Sequence, residues 1–424
     1  MRRLRGLLAD TRPLQTPAYR RLFTAQIITV IGAQLTIVTV PAQIYSMTGS
    51  SAYVGLTGLF GLVPLVVFGL YGGSLADHFD RRRLLTITTW GLIVSSALFF
   101  VQAALGNTNV WLLLGIFSVQ QAFFAVNQPT RSAVLPRILP AEHLPAANAL
   151  NMTVFTGGAI AGPLVGGALI PLLGFSWLYL VDTLFLFATL WAVVSLPRLP
   201  VQVLAGSSPG LRSVVDGFVY LATQPVLLMS FVIDLIAMVF GMPRALIPEM
   251  ADLDFGGPTE GGVAFALLFA AMPAGAFIGG VLSGWVSRVE RQGLAVIVAI
   301  LVWGGAIVGF GTAVALADGA MMPWLALAFV FFAIGGAADV ASAAFRSTML
   351  QSSATDAMRG RLQGVFIVVV AGGPRLADVL HGLVAGSLGA ATTTILGGVL
   401  VIVLTLVVST AFPAFARYRV PRTG

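Results

Sequence analysis

The sequence predicts an all-α integral membrane protein with twelve transmembrane helices in two six-helix halves. Three observations predict it. Of 424 residues, 58% are hydrophobic and 9% charged, where a soluble domain carries about 25% charged residues. Twelve apolar stretches reach the ~20 residues that a bilayer-crossing helix needs. Twenty-one of the 23 basic residues fall at the two chain ends and at alternate junctions between these stretches, and the other junctions hold none. The runs are continuous and not alternating in polarity, which excludes a membrane β-barrel.

The first stretch, 22–45, follows a basic start containing Arg2, Arg3 and Arg5. Its length and the lack of a small-residue cleavage site predict a retained helix and not a signal peptide. The next spans are 53–75, 84–105, 110–130, 147–173 and 176–196. The connection 197–223 then opens with Pro197 and Pro200 and contains Ser207-Ser208-Pro209-Gly210. Within it Leu211, Val214, Val215, Phe218 and Val219 recur at helical spacing, predicting an amphipathic helix on the membrane surface. Six more spans follow at 225–249, 261–286, 294–316, 322–344, 363–388 and 392–415. The expected domains are therefore 1–196, a cytoplasmic linker at 197–223, and 224–424. Two equal halves of six suggest a duplicated transporter.

Composition excludes several chemistries. All 23 basic residues are arginine, with no lysine, and cysteine is absent. Without lysine there is no P-loop for a nucleotide and no Schiff base. Without cysteine there are no disulfides and no thiolate metal sites. His78, His143 and His381 are too scattered to suggest a metal. Neither H-E-x-x-H nor G-x-S-x-G occurs, so no enzyme is expected. The net charge of +7 is read as membrane orientation and not as nucleic-acid binding. The arginine bias puts both termini on the cytoplasmic side.

Gly73-Ser-Leu-Ala-Asp77-His-Phe-Asp80-Arg81-Arg82-Arg83 closes span 2, and Gly280-Val-Leu-Ser-Gly284-Trp-Val-Ser-Arg288 closes span 8 in matching register. The first of these resembles the loop signature of the major facilitator superfamily, with His78 and Asp80 departing from it. The resemblance implies a gate in which Asp77 meets the start of helix 11, with Gly73, Asp80, Arg81 and Arg82 in the same motif. Span 5 carries Gly158, Gly162, Pro163, Gly166 and Gly167, similar to the antiporter motif of drug exporters in that superfamily. Glycines four apart give a flat helix face that lets another helix come close. Asn148-Ala-Leu-Asn151, the segment Asp234–Arg244, and Arg359-Gly-Arg361-Leu-Gln-Gly364 resemble the enterobactin-exporter branch. One departure is expected: drug exporters usually carry an arginine within helix 4, whereas span 4 offers Gln120, Gln121, Asn127 and Gln128.

Charges inside spans are costly, roughly 2.5–3.5 kcal/mol each even on insertion scales, so each marks a cavity or a partner. Asp234 lies about 15 Å into span 7, with no basic residue within one turn of it. Arg375 and Asp378 are three apart and share a face of span 11, read either as an intrahelical pair or as a switch. These three are the proton-coupling candidates, with His381 a surface residue or an extension of the proton path. Arg244, Glu249 and Asp182 suggest an outer gate; Asp339 and Arg346 suggest an inner one. The resemblance implies that helices 1, 4, 7 and 10 line the cavity, making Gln34, Gln120, Phe124, Asn127, Arg244 and Glu249 candidate substrate contacts.

The expected function is a secondary exporter in a bacterial cytoplasmic membrane, acting as a monomer. It would exchange protons for an amphipathic small molecule, a siderophore or a drug, and would use no cofactor, metal, nucleotide or nucleic acid. An importer or symporter of the same fold is the alternative.

Overall fold

The computed structural model describes residues 10–197, 219–353 and 356–419; at 70–78, 352–353 and 356–368 it describes the backbone alone. The predicted amphipathic linker helix lies largely outside these residues.

The described residues form twelve long helices. They are α1 (Pro17–Thr48), α2 (Ser51–His78), α3 (Arg81–Ala104) and α4 (Val110–Ile138). One stretch, Leu144–Val194, divides at Gly174 into α5 (144–173) and α6 (175–194). Then come α7 (Pro225–Gly241), α8 (Val263–Val281), α9 (Gln292–Ala315), α10 (Trp324–Ser353), α11 (Asp356–Leu388) and α12 (Ala390–Ala411). Ten helical stretches are long and apolar enough to cross a membrane. One of them is the α5–α6 stretch, too long for a single crossing. With that stretch counted as two, α11 is the twelfth helix; it carries Arg375, Asp378 and His381, which lower its hydropathy.

Local chemistry sets the boundaries. The Asp80 side chain accepts a hydrogen bond from the Arg83 backbone N–H and starts α3; Asn109 does the same for Trp111 and starts α4. Each satisfies an otherwise orphaned helix N–H. Gly174 sits at φ 76°, a left-handed conformation that glycine adopts without a Cβ clash, and there the chain reverses from α5 into α6. Ahead of α1, the Arg12 guanidinium lies 2.6 Å from the exposed Asp10 and holds its carboxyl down at about 2.

The largest differences from the predicted spans fall at three elements. Span 7 was expected to run unbroken through 249, but α7 stops at Gly241. Pro243 has no N–H to continue the ladder, and a 3-10 turn (Arg244–Leu246), a short helix (Ile247–Glu249) and a π-turn (Met250–Asp254) follow. Span 4 was expected to end at 130, but α4 continues to Ile138 and takes in Arg131 and Arg137. Span 10 was expected to end at 344, but α10 reaches Ser353 and encloses Arg346.

The contacts group the helices into two units. The first holds the described residues up to Val40 and from 63 to 197; the second holds Pro41–Leu62 and the described residues from 219 onward. In the first unit α3 packs against α4 and against the α5–α6 stretch. Leu22, Leu85, Val134, Ala192, Val193 and Leu196 form an apolar cluster there. In the second unit α10 packs on α8 and α9, α12 on α9, and α7 on α11 and α12. Large apolar side chains such as Trp90, Leu172, Trp191, Val302 and Val407 stay exposed, as a lipid-facing surface requires.

Candidate functional site

In the first unit the glycines of α5 lie directly against α1. A Cβ on Gly158 would fall 2.2 Å from Val30 Cγ1, one on Gly162 2.2 Å from Gln34 Cβ, and one on Gly166 2.7 Å from Val38 Cγ2. Real carbons do not approach so closely, so α5 and α1 meet only because these positions lack side chains. Pro163 and Gly167 are buried in the same stretch, which remains helical through the proline.

Asp182 of α6, 2% exposed, accepts hydrogen bonds from Thr36 (2.7 Å) and Ser96 (3.0 Å). Its role in the first unit is to tie α6 to α1 and α3. Asn127 donates from Nδ2 to Thr88 at 2.8 Å, joining α4 to α3. Gln34 and Gln120 are buried, at 6% and 9% exposure, while Phe124 is 40% exposed. Of the four candidate contacts in this unit, Phe124 alone presents its side chain openly.

The expected lack of an arginine in helix 4 is corrected. Arg131 lies within α4, and its Nη2 donates to Gln26 Oε1 at 3.0 Å and to the Leu22 carbonyl at 3.3 Å. Tyr19, stacked on Phe23, donates to the Ala147 carbonyl at 3.0 Å. Tyr19, Leu22, Phe23, Gln26 and Arg131, with Leu135 and Asn151, line a small recess. Sequence reasoning missed Arg131 because the polar run Asn127-Gln128-Pro129 ended the hydropathy signal early.

The gating motif is partly visible. Gly73 and Asp77 lie in α2 where the backbone alone is described. Asp80 caps α3, Arg81 donates to the Ala133 carbonyl of α4, and Arg82 donates to the Val194 carbonyl of α6. The expected meeting of Asp77 with the start of helix 11 falls outside the described side chains.

Two ion pairs join described residues of the second unit. Asp378 of α11 bonds Arg244 at 2.6 Å, with side-chain exposures of 2% and 38%. The proline break after α7 makes this possible, because it turns Arg244 back onto α11. Arg375, expected beside Asp378, reaches the Thr57 carbonyl at 3.4 Å. His381 is buried, not a surface residue; its Nε2 lies 3.0 Å from the Phe240 carbonyl. Glu249 accepts from Ser51, and Asp252 accepts from Tyr45 at 3.2 Å. The residue 41–62 segment is therefore bonded to the chain that follows α7.

The other pair joins Asp234 of α7 to Arg346 of α10, both almost fully buried. Arg346 Nε also donates to Ser342 at 3.2 Å. Asp234, expected without a basic neighbour on its own helix, takes its cation from a helix 112 positions away in sequence. Among the described residues no group of three or more His, Asp or Glu residues could hold a metal.

The profile of the transmembrane secretion effector family (MFS_3) matches residues 9–420. The chain belongs to that family, within the major facilitator superfamily. The chain is thus a secondary transporter and not an enzyme. Relatives include the enterobactin exporter EntS of Shigella boydii serotype 18 (strain CDC 3083-94 / BS512), 29% identical over 89% of this chain and 87% of its own. EntS of Escherichia coli O139:H28 is 28% identical over the same shares. Among solved structures, the nucleoside transporter NupG matches with TM-score 0.70 at 15% identity, covering 95% of this chain and 100% of that one. A bacterial homologue of the human lysosomal transporter Spinster matches with TM-score 0.67 at 15% identity, covering 96% and 97%. At such identities the structures speak for the fold alone.

Proposed function

We propose that this family member exports an amphipathic small molecule, of siderophore or drug type, across a bacterial cytoplasmic membrane in exchange for protons. The observation that carries the proposal is the pair of ionic contacts among membrane-spanning helices, Asp234–Arg346 and Asp378–Arg244. Ionised side chains at such depth mark ion or substrate pathways by default. Carboxylates that can exchange a counter-charge for a proton offer a coupling device without a nucleotide or metal.

In this reading the halves 1–196 and 224–424 give the substrate alternating access to the two sides of the membrane, with both termini cytoplasmic and the protein acting as a monomer. Arg131 attracts an anionic group of the substrate. The glycine face of α5 against α1 supports the export direction, and the α2–α3 loop from Gly73 to Arg82 steadies the closed state. The driving force is adequate. One charge moved across 100 mV is worth ~2.3 kcal/mol, which sustains a roughly 50-fold gradient at ~1.4 kcal/mol per decade.

The test is efflux from energised cells loaded with enterobactin or, in parallel, with the cationic dye ethidium. Efflux of either compound that stops with a protonophore supports the proposal. Efflux of neither, or efflux indifferent to the protonophore, contradicts it.

A further inference from the structure

Asp234 and Arg346 form a closed unit: one carboxylate, one guanidinium, 0% and 5% exposed. A second acid shares this cation's surroundings. Asp339 stands seven residues before Arg346 on α10, two helical turns away, within electrostatic reach of both Arg346 and Asp234. Ser342 lies between them and bonds the guanidinium. Asp339 has no hydrogen bond or ion pair with any described residue, and it is half-buried where its neighbours are closed off.

The surroundings supply little else that is charged. The helices packed on α10 are chiefly α8 and α9, and neither contains an ionisable side chain. The turn Ser283–Arg288 brings the exposed Arg288. On α11, Arg375 reaches the Thr57 carbonyl, Asp378 pairs with Arg244, and His381 bonds the Phe240 carbonyl. Among the described side chains the cluster therefore holds two carboxyls and one guanidinium. With both acids ionised it carries a charge of −1 in apolar surroundings, which is costly. With one proton bound it is neutral.

Building on the proton-coupled reading above, we propose that Asp339 is the carboxyl that takes up and gives back the coupling proton, while Asp234 stays ionised on Arg346. Three features assign the proton to Asp339 and not to Asp234. Asp339 is partly exposed where Asp234 is closed off, it bonds no cation among the described residues, and its titration breaks no buried ion pair. One proton binds from one side and leaves to the other; at Asp339 no bond other than this O–H is made or broken. Changes in charge at Asp339 act on Arg346, and through it on the contact between α7 and α10.

The test uses the full-length protein reconstituted in vesicles. Infrared difference spectra on pH titration should show a protonated-carboxyl C=O band in the wild type that is lost in Asp339→Asn. The double variant Asp234→Asn/Arg346→Gln, which removes the ion pair without stranding a charge, should keep it. In enterobactin-loaded vesicles Asp339→Asn should lose efflux driven by a pH gradient yet keep exchange of labelled for unlabelled enterobactin, a split that a misfolded protein would not show. A band unchanged in Asp339→Asn, or pH-driven efflux surviving that substitution, overturns the assignment and leaves proton coupling standing. Efflux in the wild type that follows sodium and not protons overturns both.

Discussion

Arg244 and Asp378 meet at 2.6 Å, but they are not equally placed: the guanidinium side chain is 38% exposed and the carboxylate 2%. The asymmetry makes the two single substitutions unequal. Arg244→Gln strands a buried carboxylate with no water to solvate it, at a cost of about 3 kcal/mol. Asp378→Asn leaves a guanidinium that reaches water and costs about 1 kcal/mol. Thermal unfolding in detergent should therefore rank Arg244→Gln below Asp378→Asn, with the double variant Arg244→Gln/Asp378→Asn above Arg244→Gln. Equal losses for the two singles would contradict the exposures.

The contact of α5 with α1 makes a rescue prediction. On Gly158 an added Cβ meets Val30 Cγ1 at 2.2 Å, whereas Val30 Cβ stands at 3.6 Å. Trimming Val30 removes the obstruction, so Gly158→Ala should lose about 1–3 kcal/mol and regain most of it with Val30→Ala. On Gly162 the clash is with Gln34 Cβ itself, which alanine retains. Gly162→Ala should not be rescued by Gln34→Ala. Stability measured on the four variants decides it.

The start of α2 is held against α11 by the same device. A Cβ on Gly58 would lie 2.1 Å from the Arg375 carbonyl oxygen, and one on Gly55 2.4 Å from that of Asp378. Backbone atoms cannot swing aside as side chains do. Gly58→Leu should thus separate residues 51–62 from α11, with faster amide exchange in both segments and a lower unfolding temperature. Unchanged exchange would mean the contact is dispensable.

Arg131 should discriminate between substrates by charge. It bonds the neutral Gln26 amide and the Leu22 carbonyl, so its charge is balanced there by no carboxylate among the described residues. Arg131→Gln should reduce efflux of enterobactin more than efflux of ethidium. Equal reduction of both would give Arg131 a structural role in joining α4 to α1.

How much of this was legible in the sequence depends on whether the signal was local. The twelve helices were, because eleven are written in continuous apolar runs and the remaining one, α11, in an apolar run interrupted by Arg375, Asp378 and His381. Their ends were less so. Arg131 and Arg346 read as loop residues because hydropathy falls at a charge whether or not the helix continues. Pro243 was visible in the sequence, yet continuous hydropathy across it hid the break that turns Arg244 toward Asp378. Partners were the least legible. Periodicity tells which face of α7 carries Asp234, but only the packing of α10 shows that Arg346 meets it. Gln34 was read as a cavity residue because it is polar and lies on a helix that the family resemblance places at the cavity; its burial under Gly162 follows from how closely α5 approaches α1, which no single-helix pattern contains.

The most direct test of proton-coupled export is made on purified protein in sealed vesicles loaded with enterobactin, with an imposed pH gradient and a fluorescent pH reporter inside. Enterobactin should move against its own gradient as protons move the opposite way, and both fluxes should stop together when a protonophore collapses the gradient. Enterobactin movement with no proton flux, at a rate the protonophore does not change, would contradict proton-coupled export.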